Sequence, residues 1–260
     1  MKKSVFIILT AAILCAAAAA AENPEDPLPA GVAAFTAAYA EWDGDGFRRA
    51  AEQLQAAGMN EPESFPAHYW HGVASFHFAL FLLDLEDPGP EVDRALDSAE
   101  EALEKALELE EDCGECYALL SVITGLRIGR NPLSGIWRGS RFKKQAEAAL
   151  RLSPDNPRVH YLIGTSHYHG PDRADSRERA RDHFLKAKSL YERERRTPAG
   201  GIQPSWGYDS TLAFLGDIYR EGGDREEARE YYDRTLVINP ENGRAQRGLM
   251  ELKISEESDE

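Results

Sequence analysis

Cys113-Gly114-Glu115-Cys116 is the first place in this sequence where residue type and spacing could do chemistry. Two cysteines three apart in a turn can come within the Cα separation of about 4.4–6.8 Å that a disulfide needs. The same spacing serves thiol–disulfide exchange, which a helix N-terminus favours by lowering a thiol pKa. Exchange enzymes set that motif in an alternation of strands and helices, and none surrounds Cys113. A zinc site would need a second pair, and haem attachment a histidine where Tyr117 stands. The expectation is a structural disulfide, with inert thiols or redox or metal chemistry as the alternatives.

Histidines fall in two groups, His68, His71 and His77, then His160, His167 and His169. His68 and His71 could share one helical face and offer two nitrogens to a metal. No acidic pair accompanies either group at an evident ligand spacing, so packing histidines are expected and no metal or cofactor. The sequence has no Gly-rich phosphate loop, Gly-x-Ser-x-Gly elbow or His-Glu-x-x-His pair, and we expect no catalytic residues and no enzyme. Ile136-Trp137-Arg138, flanked by Arg127, Arg130, Arg141 and Lys143, is the one basic patch. It is read as an inserted loop that docks an acidic partner or packs back on the molecule.

The elements that must position these residues repeat along the chain. Leu212, Leu215, Gly216, Tyr219, Ala228, Tyr232 and Pro240 follow a pattern of two helices with a turn at Gly222-Gly223-Asp224. Small residues let antiparallel helices approach, and large ones fill the gaps beside them. Carried backwards, the register places Ala38, Gly72, Ser121 and Gly164 at the small position of four earlier hairpins. These residues resemble the tetratricopeptide-repeat family, strongly in the last hairpin and more loosely before it. The chain is also similar to exported bacterial repeat proteins that share an Asn-Pro-Arg start, like Asn156-Pro157-Arg158, and a Trp-Gly, like Trp206-Gly207.

The resemblance implies an all-α, right-handed superhelical solenoid of about five hairpins, at 31–64, 65–113, 114–156, 157–194 and 209–242, covering 31–254 with a capping helix over 243–254. Residues 255–260 read as a frayed acidic tail. In this family the first helix of each hairpin lines a concave groove that binds a peptide or protein segment. That implies a groove of Phe35, Tyr39 and Trp42; Tyr69, Val73 and Phe76; Arg158, Tyr161, Thr165 and Tyr168; and Ser210, Ala213, Asp217 and Arg220. The aromatics among them are expected to form an exposed patch with a polar rim; the alternative is that several are core. The Lys, Asn and Arg set with which some relatives grip a C-terminal carboxylate is absent. Thr197 to Ser205 is rich in Pro and Gly and reads as a hinge.

Composition bounds the function. The 260 residues carry a formal charge of −15, which argues against a general nucleic-acid binder. Lys2-Lys3, the apolar run to Leu14 and the alanines Ala16 to Ala21 have the layout of a signal peptide over 1–21, with 22–30 as a linker. An uncleaved anchor, or a lipid on Cys15, is the alternative. The sequence thus leads to a non-catalytic scaffold, exported to the periplasm or beyond, that binds a protein or peptide and is not an integral membrane protein once cleaved. An accessory that binds a small molecule or metal through the aromatic and histidine groove is the second reading.

Overall fold

The computed structural model describes residues 26–170, 175–196 and 201–259. The signal peptide and Cys15 lie outside them, as does part of the Pro/Gly-rich joint. Among the described residues there are eleven α-helices, one 3-10 turn and no strand. They are α1 (Pro27–Glu41), α2 (Gly44–Asn60), α3 (Phe65–Leu83), α4 (Glu91–Leu109), α5 (Gly114–Arg130), α6 (Gly135–Leu152), α7 (Pro157–Tyr168), α8 (Ser176–Glu194), α9 (Tyr208–Glu221), α10 (Arg225–Ile238) and α11 (Gly243–Asp259).

Local chemistry starts these helices. Asp26, Asp43, Asn156 and Asp224 each cap a helix with a side-chain oxygen on a free backbone N–H. Proline sits in the first turn of α1 and α7, where a missing N–H costs nothing. In α4 the buried residues Val92, Ala95, Leu96, Ala99, Ala102, Leu103 and Ala106 recur every three or four positions, the spacing of one apolar face.

Consecutive helices pack as pairs, α1 on α2 through α9 on α10, and α11 lies against the last pair. The small-against-large rule governs each pair. A Cβ built on Gly164 would lie 2.8 Å from Phe184, and one on Gly216 would lie 2.4 Å from Tyr232. Ala245 and Leu252 of α11 close a small core with Ala213, Ala228 and Tyr232. The fold is therefore the expected all-α stack of paired helices with a terminal cap.

Three local readings change. The first helix begins at Pro27, inside the expected linker, because Asp26 and the following proline make a helix start. The last helix runs to Asp259, so the acidic stretch expected to fray continues α11. Trp137 lies in the first turn of α6, and the interruption before it is a 3-10 turn at Pro132–Ser134.

The stack also closes on itself. Tyr39 of the first hairpin donates from its hydroxyl to Asp209 Oδ1 of the fifth at 2.8 Å and meets Ser210 Oγ at 3.0 Å. Asp209 Oδ2 in turn accepts from Asn239 at 2.9 Å and Asn242 at 3.1 Å. This clamp ties α1 to α9 and to the end of α10, across an inner side that would otherwise be open.

Candidate functional site

The inner side holds a length of the chain itself. The residues before α9, from Gly201 to Gly207, enter as a strap whose backbone is gripped by side chains from four helices. Trp70 Nε1 of α3 donates to the Ile202 carbonyl at 2.9 Å. Arg158 Nη1 of α7 donates to the Pro204 carbonyl at 3.2 Å. The Tyr191 hydroxyl of α8 donates to the Trp206 carbonyl at 3.0 Å, and Tyr39 of α1 accepts from the Gly207 N–H at 3.0 Å. Gly207 sits at φ 98°, where a side chain is strained, and a Cβ there would meet the Tyr191 hydroxyl at 2.3 Å.

Trp206 plugs the centre and is 2% exposed. Its ring meets His77 edge-on at 5.1 Å and Tyr161 at 6.2 Å. His77 is ringed by Phe35, Tyr39, Phe47 and Phe76. Burial lowers its pKa to about 4, so it is neutral, and its Nδ1–H donates to the Val73 carbonyl at 2.8 Å. The Trp206 indole N–H is buried and lies toward the Tyr69 hydroxyl.

One buried ion pair anchors this centre. Arg158 Nε donates to Glu115 Oε2 at 3.0 Å, and its two terminal nitrogens hold Glu194 at 3.0 and 2.9 Å. Glu115 also accepts from Tyr69 and from Asn156, the latter at 2.8 Å. Burial opposes the Arg158 charge, but the Glu115 charge and the hydrogen bonds Arg158 donates to Glu194 outweigh it and raise its pKa. Burial and the Glu115 charge likewise push the Tyr69 phenol up.

The sequence-derived groove residues are thus distributed unevenly. Phe35, Tyr69, Phe76, Arg158 and Tyr161 surround or support the strap and are buried. Tyr39 is half-buried in the clamp. Trp42 and Tyr168 are half-buried nearer the edge, where Trp42 donates to Asp84 at 3.2 Å and Tyr168 to Glu221 at 2.6 Å. Asp217 and Arg220 belong to another junction: Tyr232 donates to Asp217 at 2.6 Å, Arg244 bridges to Asp217, and Arg220 reaches Glu251 at 2.9 Å. The expected exposed aromatic patch is corrected accordingly, because the strap and the clamp remove these rings from water. Glu115, Glu194, Asp209 and Trp206 were not selected from the sequence. Only Trp206 had a signal, the Trp-Gly pair after a Pro/Gly-rich run.

Cys113 and Cys116 are joined, with Cα atoms 5.3 Å apart, across the first turn of α5, beside Glu115. Among the histidines, His71 meets Ser98 Oγ at 3.0 Å, and His160 Nδ1 lies 3.1 Å from Nδ1 of His183, a residue outside both sequence groups. No group of three or more His, Cys, Asp or Glu among the described residues is arranged to hold a metal ion. No described helix is long and apolar enough to cross a membrane.

Helical hairpins stacked in register, each with a small residue facing a large one, define a helical-repeat solenoid. The tetratricopeptide-repeat family model matches residues 210–242, the fifth hairpin. The fifth hairpin thus carries a tetratricopeptide repeat, and the described chain has the fold of a tetratricopeptide-type solenoid. Its fold is similar to that of the HusA haemophore from Porphyromonas gingivalis, at TM-score 0.61 and 23% identity over 75% of this chain and 92% of that one. It is similar also to a thermophilic tetratricopeptide-repeat protein from Thermus thermophilus, TTC0263, at TM-score 0.60 and 16% identity over 86% and 97%. A chain of the APC/C hetero-tetramer Cut9-Hcn1 gives TM-score 0.58 at 14% identity, covering 90% of this chain and 38% of that one. Identities this low establish the fold alone. No curated protein matches the sequence.

Proposed function

We propose that this protein is a non-catalytic scaffold, exported from the cytoplasm, whose inner face binds an extended peptide segment of a partner. The observation that supports the reading is the strap. Side chains of α1, α3, α7 and α8 take up a non-helical backbone through its carbonyls and one N–H, and a central pocket takes its aromatic ring. A partner peptide of the same character, with an aromatic residue shortly after a proline, would use the same donors. In this reading the Cys113–Cys116 bond staples a turn, and Arg158 and Glu115 hold the donors in place.

Competition with the strap tests it. The peptide Gly-Ile-Gln-Pro-Ser-Trp-Gly-Tyr is titrated by calorimetry into the unaltered protein and into Trp206→Leu, whose helicity is checked first. We expect the variant to bind the peptide and the unaltered protein to bind it much more weakly. A folded variant that ignores the peptide would sink the reading. Export is tested separately by N-terminal sequencing, which should find a mature chain starting near Glu22 rather than a lipid-bearing Cys15.

A further inference from the structure

The elbow between α5 and α6 has no part in the inner face. From Cys116 to Ala146 the chain carries Arg127, Arg130, Arg138, Arg141, Lys143 and Lys144 and no Asp or Glu, in a protein of net charge −15. Some of these charges are already answered. Arg127 pairs with Asp97 and Glu100, Arg130 with Asp93, Arg141 with Glu100 and Glu104, and Lys143 approaches Glu147 at 3.7 Å. Arg138 and Lys144 have no ion pair among the described residues, so the elbow keeps a local positive excess.

Two further observations point to what is missing there. A cleft of about 450 Å3 opens at the elbow, lined by Asp93, Arg127, Arg130, Asn131, Ser134 and Arg138. Two of its lining residues, Arg127 through Nε and Ser134 through Oγ, bear buried polar atoms with no partner. A buried donor without an acceptor is costly, and an anionic oxygen relieves it. Beside the cleft stand Leu133, Ile136 and Trp137, exposed by 74%, 77% and 74%. Three large apolar side chains exposed within five residues form a patch, whereas single exposed ones need no explanation.

We propose that this elbow docks an acidic, partly apolar peptide segment of another protein. A carboxylate enters the cleft of Arg127, Arg130, Arg138 and Ser134, and a neighbouring apolar side chain covers Leu133, Ile136 and Trp137. Size favours a peptide over a globular face. Three side chains offer a few hundred Å2, well short of the roughly 800 Å2 per partner of a standard protein interface. The acidic chain as a whole, with most of the elbow arginines tied to carboxylates, is poorly suited to an anionic bilayer.

The test uses the full chain and a fluorescein-labelled twelve-residue peptide of Asp and Glu around a central Leu-Phe, read by fluorescence anisotropy. A second peptide replaces the acids by Asn and Gln. We expect the acidic peptide to bind, and binding to weaken at least about tenfold in Trp137→Ala and in Arg138→Glu. Both residues lie outside the core, so both variants should keep the helicity and melting of the unaltered protein. Binding should also fall as NaCl rises from about 0.05 to about 0.5 M, as screening requires. Trp206→Leu should bind this peptide normally, which separates the elbow from the inner face. The proposal is overturned if the acidic peptide does not bind, if the neutral peptide binds equally, or if neither elbow variant matters. It is also overturned if phosphatidylglycerol vesicles, and not the peptide, are bound through Trp137.

Discussion

Arg158 is the residue on which most of the centre depends. It links Glu115, Glu194 and the strap carbonyl of Pro204, and it is buried with Glu115. Removing one partner of a buried pair leaves the other charge without compensation, a loss of about 3–5 kcal/mol. We expect Arg158→Met to lower unfolding free energy by that order, read from urea denaturation. Glu115→Gln should cost less, because the amide oxygen still accepts from Arg158. If Arg158→Met is as stable as the unaltered protein, the pair does not hold the centre together. The Cys113–Cys116 bond closes a loop of only four residues, and the chain-entropy relation gives it about 2 kcal/mol. A double Cys→Ser variant should therefore stay folded at room temperature and melt lower.

At the scale of elements, the strap and the helices that hold it form one unit. Gly207 is where the chain turns from strap into α9, at a positive φ and under the Tyr191 hydroxyl. Gly207→Ala meets two penalties, a left-handed backbone and a clash with a buried tyrosine. We expect a loss of about 2 kcal/mol or more, with a red shift of Trp206 emission as its ring gains water. Gly223, also at positive φ, has open space beside it. Gly223→Ala should therefore cost only the backbone part, about 1 kcal/mol. Equal losses at the two positions would show that the strap is not packed tightly at Gly207.

The whole molecule should be acid-sensitive for a reason its histidines make plain. Burial lowers His71, His77, His169 and His183 from the ordinary 6.5 to about 4, with charged neighbours adding to the effect at His71, His169 and His183. The folded protein therefore resists protonation that the unfolded chain accepts. Stability is full above about pH 6.5 and falls as the pH drops toward about 4, because the unfolded state binds more protons over that window. The urea midpoint should decline steadily between those values. His77→Phe, which keeps a ring in the central pocket, should flatten the decline. A midpoint constant from pH 7 to pH 4 would show that these histidines titrate normally.

How much of this was legible beforehand depends on the distance over which each feature is decided. The helices, their starts and the small-against-large pairing within a hairpin arise from residues a few tens of positions apart, so periodicity and capping chemistry reveal them. Gly216 against Tyr232 and Gly164 against Phe184 are of this kind. The sequence by itself thus determined the class of fold, and the joined cysteines lie within one turn. The closing of the stack was decided only in the tertiary structure. It accumulates over five hairpins until Tyr39 meets Asp209, and no local pattern carries that sum. Closure in turn decides which aromatics are wet. Tyr69 and Tyr161 stand at positions expected to face an open groove, yet they are buried beneath the strap, while Trp137 on α6 is exposed because no described helix packs over the elbow.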